Sequence, residues 1–182
     1  MRYWLMKSEP DSFSLADLQR KRTEPWTGVR NYVARNYMRE MALGDHVLFY
    51  HSNTDPPGVA GLATVCATSH VDDTQFDPDH MYYDEKSRPD APRWDCVDVA
   101  YDRAFANYVS LDRLRAEPGL EDMLVLQRGQ RLSVQPVSEE HYNHIVEMSE
   151  TAWVAPPKPP KPKKPKKKAT AKKKPAAKPK KR

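Results

Sequence analysis

The chain has 182 residues and a formal charge of +5, but that charge is split unevenly along it. Residues 151–182 hold 14 Lys plus Arg and no acidic group, which leaves 16 basic and all 25 acidic groups in the first 150, net −9. No apolar run approaches the roughly 18 residues of a membrane span, and residues 1–150 are long enough to bury a core without disulfide staples. The expected organisation is one domain over 1–150 followed by a basic tail over 151–182.

The opening stretch MRYWLMKSEP has no signal-peptide pattern, so the chain is expected inside the cell: cytoplasmic, with the nucleoid in a bacterium or the nucleus in a eukaryote. RYWLMKS (2–8) reads as a buried strand. In SLADLQR (14–20), Ser14 followed by Asp17 three residues later predicts a capped short helix. PWTGVRNY (25–32) reads as a loop carrying Trp26. NYVARNYMREM (31–41) has Val33, Tyr37, Met38 and Met41 at helical spacing. Gly44-Asp45 turns the chain into the strand HVLFYHS (46–52). After the turn TDPPG comes VAGLATVCATSHV (59–71), a long strand with a bulge expected at Gly61.

Residues 72–92 lack periodicity and read as a solvated loop. RWDCVDVAYDRAF (93–105) alternates as a strand, SLDRL (110–114) and LEDMLVL (120–126) as short helical pieces, and QRLSVQPV (130–137) as a half-exposed strand. Ser138 caps a last helix running to about Met148. Strands scattered among short helices predict an α+β fold with a small mixed or mainly antiparallel sheet curled into a partly closed barrel. From Ala155 only Lys, Pro, Ala, one Thr and one Arg occur. No apolar face can offset the ~1–2 kcal/mol per residue of ordering entropy, so a disordered, extended tail is expected.

Enzyme signatures are sparse: GxSxG, HExxH, a P-loop and GxGxxG are all missing, and six glycines leave little for a phosphate cradle. His141 and His144 share a helical face but lack a further ligand at metal spacing, and read as surface residues. HVDDTQFDPD (70–79) lacks the ligand alternation of a Ca²⁺ loop. Cys66 and Cys96 read as small buried hydrophobes, and neither a metal nor another cofactor is expected. What stands out is a set of segments near expected strand ends that place polar groups beside large aromatics: WLMKSEPDSF, PWTGVRNY, FYHSN and RLSVQPV. A nucleobase pocket needs that pairing, an aromatic face plus a few fixed donors and acceptors. Trp26, between Pro25 and Gly28, sits on a loop rather than a periodic face.

RYWLMKSEPDSFS, PWTGVRNYVARNYMREMALGDHVLFYHSN, PPGVAGLATV, YYDEKS, PRWDCVDV and RGQRLSVQPVSEEHY together resemble the EVE domain family through nearly all of residues 1–148. The resemblance implies a PUA-like pseudo-barrel with surrounding short helices. It also implies kinship with the YTH readers of methylated adenine in RNA, and a role in recognising modified cytosine in DNA. By that likeness Trp26 matches the aromatic on which a base stacks, and Lys7 and Ser8 match the strand end that meets the base edge. Glu9 departs from the amide residue common in the YTH pattern, which argues against copying adenine specificity. Asn31 and Tyr32 would flank the pocket, and Tyr50, His51 and Ser52 would close one side. Arg131, Ser133 and Gln135 would reach in from the last strand, and Tyr82 or Tyr83 would give a second wall.

The expected function is therefore a non-catalytic reader of a modified base in DNA. An RNA target is the alternative, as is an enzyme using Lys7, Glu9 or His51 as acid or base in the same pocket. Since a body at net −9 repels nucleic acid, phosphate attraction is expected from the tail, including Lys163, Lys164, Lys166, Lys167, Lys168, Lys172, Lys173 and Lys174.

Overall fold

The computed structural model describes residues 1–154; the basic stretch from 155 onward, with its eight candidate phosphate-binding lysines, lies outside the described residues. In chain order the elements are β1 (Tyr3–Ser8), α1 (Leu15–Lys21), β2 (Thr23–Pro25), α2 (Tyr32–Glu40), β3 (His46–His51), β4 (Gly58–Val71), β5 (Asp95–Ser110), α3 (Leu111–Ala116), β6 (Val134–Val137) and α4 (Glu139–Ser149). Short 3-10 turns cover Asp73–Gln75 and Leu124–Leu126. No described helix is long and apolar enough to cross a membrane.

The six strands form one mixed sheet in the order β2-β5-β4-β3-β1-β6. Among the described residues only β1 and β3 run parallel, with Lys7 beside Tyr50 and Ser8 beside His51 in register. Alternation along the strands then feeds two cores. Trp4 and Met6 of β1 join Val47 and Phe49 of β3 on one face, covered by Leu15 and Leu18 of α1 and Ala34 and Met38 of α2. Leu5 joins Leu48 and Tyr50 on the other, covered by Leu114 of α3 and Tyr142, Ile145 and Met148 of α4.

The α+β class and mixed pairing agree with the sequence, but the barrel does not: the sheet is open. Closure would require β2 to pair with β6. Instead α2 packs against β4, β5 and β6. Both edge strands are short and carry a proline, Pro25 in β2 and Pro136 in β6, which lacks the amide donor that further pairing needs.

Local signals mostly act as expected. Ser14 and Asp17 form the full capping box of α1, and the β4–β5 register shifts between Val59 and Gly61. Three expectations fail. In the half-exposed strand expected over 130–137, the polar Gln135 is buried and Pro136 exposed. Cys66 lies exposed on β4, whereas Cys96 is buried as expected. The loop after β4 is not simply solvated: Asp72 and Gln75 are fully buried within it.

Candidate nucleic-acid interface

Trp26 leaves the end of β2 with its amide donating to the Val97 carbonyl at 2.7 Å. Its indole is only 7% exposed and stands edge-on to Phe49, with centroids 5.4 Å apart and planes at 79°. It belongs to the same core as Met6, Leu15 and Val99. The loop position that suggested a free surface is therefore misleading, because the loop folds inward over that core. The indole N–H of Trp4 donates to Asp45 at 3.0 Å and that of Trp94 to Asp84 at 2.7 Å, but the Trp26 N–H has no partner among the described residues. It is not among the fully buried unpartnered side-chain nitrogens of the described residues, which are those of His46 and Arg113. Buried tryptophan normally finds an acceptor, so an indole donor without one has a hydrogen bond left to offer a ligand.

Beside it, Gly28 has φ +82°, and a Cβ there would collide with the ring of Tyr82. Of the two candidate tyrosines, Tyr82 is thus the one laid against the Trp26 loop; Tyr83 is 44% exposed, and its amide donates to the His80 carbonyl. Buried Asp72 makes this placement. Its carboxylate accepts from Gly28 N at 2.9 Å, Arg30 Nη1 at 2.8 Å and Thr74 Oγ1 at 2.6 Å. Burial alone would raise its pKa, but these donors outweigh that and hold it below the usual carboxylate value. Arg30 also donates to the Tyr82 carbonyl at 2.8 Å, binding the two loops together. Gln75 anchors the far end, accepting from Arg93 N, Trp94 N and Ser87 Oγ and donating to the carbonyls of Asp72 and Trp94.

The β1 and β3 ends divide the remaining candidates between the two sheet faces. Ser8 and His51 lie on the Trp26 face, where His51 packs edge-on to Phe49 at 5.6 Å and its Nε2 accepts from Leu15 N at 3.1 Å. Burial lowers the His51 pKa. Lys7 pairs with Tyr50 on the other face, its ammonium 6.0 Å from the Tyr50 ring. Burial lowers the Lys7 pKa and pushes the Tyr50 hydroxyl up to about 12. The hydroxyls expected at a base edge are used within the fold: Ser8 Oγ donates to Phe13 O at 2.6 Å, and Ser52 Oγ to Ser8 O at 3.3 Å. Glu9 accepts from Asn53 Nδ2 at 2.6 Å, joining the β1 end to the turn after β3.

The other candidates stand apart from Trp26. Asn31 caps α2, its Oδ1 accepting from Val33 N and Ala34 N. Tyr32 is 46% exposed but stacks on Trp94, at 4.7 Å and 24°. Ser133 contributes its carbonyl to Lys7 N at 2.8 Å, and Arg131 is exposed. Gln135 faces a cavity of about 320 Å³ with Met123, Pro136 and His141, on the second-core side of β6. His141 and His144 reach different carboxylates, Asp122 at 3.1 Å and Glu117 at 2.9 Å, and no group of three potential metal ligands occurs among the described residues. Sequence reasoning missed Arg30, Asp72 and Gln75. Arg30 lay inside the stretch already singled out, and a charged residue following a loop tryptophan and glycine was the available signal.

Comparison with known proteins follows this geometry. The EVE domain model matches residues 2–148. Mouse thymocyte nuclear protein 1 is 41% identical over 167 residues, covering 82% of this chain and 74% of that protein. A hypothetical protein from Leishmania major is 47% identical with a TM-score of 0.78, covering 82% of this chain and 95% of that one. Human thymocyte nuclear protein 1 in complex with 5-methylcytosine-containing DNA is 38% identical with a TM-score of 0.79, covering 84% of this chain and 99% of that one.

Proposed function

The chain belongs to the EVE domain family, and on that premise we propose that it is a non-catalytic reader of DNA that receives a modified cytosine against Trp26. The observation that carries this reading is the Trp26 indole, set edge-on to Phe49 with a ring N–H that has no partner among the described residues. The human relative's complex with 5-methylcytosine-containing DNA supports the choice of ligand. Tyr82, held over Gly28 by the Asp72–Arg30 pair, serves as the second wall. Extruding a base costs a few kcal/mol, stacking returns roughly 1–3 kcal/mol, and burying a methyl group adds about 0.8 kcal/mol. Such a pocket selects modestly, and affinity must come largely from phosphate contacts, to which the 14 tail cations contribute.

Catalysis has poor material here. Lys7 and His51 lie on opposite faces of the sheet, and His51 Nε2 and Glu9 are each engaged by a neighbour. Cys96 Sγ lies 3.5 Å from His70 Nδ1, and His70 Nε2 lies 2.8 Å from Asp98, a contact chain that resembles a nucleophile and its base. Burial first, and then Asp72 and Asp98, push the Cys96 thiol up to about 12, the reverse of an activated thiolate. A screen of modified nucleosides and short oligonucleotides tests the reading: a hit is bound and recovered unchanged, and a consumed ligand would overturn it.

A further inference from the structure

Where the Trp26 loop, α2 and the start of β5 meet, four arginines and two aromatic rings form a single cluster. Trp94 lies at its centre, with the guanidinium carbons of Arg30, Arg35 and Arg93 at 5.7, 5.9 and 5.9 Å from its ring centroid. Tyr32 stacks on Trp94, with Arg35 at 4.8 Å and Arg93 at 5.6 Å from the Tyr32 ring. Three of the four cations are neutralised: Arg30 by Asp72 at 2.8 Å, Arg93 by Asp84 at 3.1 Å, and Arg39 by Asp95. Arg35 is different. It donates to the Arg93 carbonyl at 2.6 Å and to Asn36 Oδ1 at 2.8 Å, and it has no carboxylate in ion-pair contact among the described residues.

Those two acceptors orient the guanidinium without cancelling its charge. Burial, and then the neighbouring Arg39, lower the Arg35 pKa against the opposing influence of Asp95 and Tyr32. In a body of net −9, a guanidinium without a carboxylate in contact, fixed on an aromatic platform, is out of character with its surroundings. Guanidinium donors in a fixed fork suit phosphate oxygens, and an aromatic ring beneath stacks on the planar group and limits its reorientation. The cluster begins at Arg30, four residues beyond Trp26, so a strand delivering a base to Trp26 would carry its backbone past it.

We propose that Arg35, set on Tyr32 and Trp94 and flanked by Arg93, is a phosphate-binding site of the folded body, gripping the DNA backbone beside the extruded base. This rests on the reader function proposed above. It also revises the expectation that phosphate attraction comes from the tail: the body contributes a fixed contact of its own.

The test uses the full chain with two duplexes of one sequence, one 5-methylated and one unmodified, titrated across a salt series. Each lost phosphate contact flattens the slope of log K against log salt by about 0.9. Arg35→Gln should flatten it by about that amount and weaken both duplexes by the same factor, leaving their affinity ratio unchanged. The slope is insensitive to a constant fraction of inactive protein, so partial misfolding does not mimic the effect. Arg35→Lys, which keeps the charge, should restore the slope. An unaltered slope in Arg35→Gln, or a slope that Arg35→Lys fails to restore, overturns the proposal. If the wild-type chain binds both duplexes equally, the reader function fails while the slope still decides the phosphate site.

Discussion

Replacing Gly28 by Ala probes how the second wall is held. Gly28 and Gly44 have nearly the same backbone, φ +82° and +83°, so an alanine at either pays the left-handed penalty of roughly 1–2 kcal/mol. They differ in surroundings: nothing lies within 4 Å of a Cβ at Gly44, whereas one at Gly28 would enter the Tyr82 ring. In a domain of this size 1 kcal/mol moves Tm by about 2–4 °C, so Gly44→Ala should lower Tm by about 2–8 °C and leave DNA binding unchanged. Gly28→Ala must add a displacement of Tyr82. Its Tm should fall further, and its affinity for the 5-methylated duplex should drop. Combining Gly28→Ala with Tyr82→Ala removes the collision, so the double variant should be more stable than the two separate losses predict. Thermal unfolding and fluorescence anisotropy measure both quantities. If Gly28→Ala matches Gly44→Ala in Tm and binds DNA like the wild type, Tyr82 is not a wall of the pocket.

Trp26→Ala should cost about 3–5 kcal/mol because the indole fills core, lowering Tm by about 6–20 °C. Trp26→Phe should retain most of that stability yet weaken binding to the modified duplex; wild-type binding by Trp26→Phe would separate the indole from recognition. His51 has a folded pKa below its ordinary 6.5, so the unfolded chain binds the proton more readily. Stability is therefore full above pH 6.5 and declines as pH falls through the lower folded value, where protonation breaks the Leu15 N–H contact. Tm measured from pH 7.5 to 5 should fall less in His51→Gln than in the wild type, and equal declines would exclude this residue as the cause. Deleting residues 155–182 should flatten the salt dependence of DNA binding while preserving the preference for the methylated duplex; an unchanged slope would remove the tail from phosphate binding.

Features with local causes were readable from the chain. The Ser14–Asp17 box, the Ser138 cap and the strands of β1, β3 and β4 depend on neighbours in sequence; Asn31, read as a pocket residue, proved to be the cap of α2. Openness of the sheet was not readable, because it depends on α2 reaching β6 from across the molecule. The pocket residues divided for a similar reason. Period-two alternation sets adjacent Lys7 and Ser8 on opposite faces, so a shared segment did not mean a shared site. Asp72 looked like one more solvated acid among HVDDTQFDPD, and only its 44-residue reach to Gly28 makes it the buried link between the two loops. Tyr32 followed Trp26 closely in sequence, but α2 directs it to Trp94 instead.

The central claim is that a 5-methylcytosine ring is received beside Trp26 with its methyl group out of water. Two duplexes differing by that single methyl, titrated against the full chain at one fixed salt concentration, measure it most directly. Burial of about 0.8 kcal/mol predicts roughly four-fold tighter binding of the methylated duplex. Equal dissociation constants would contradict the account.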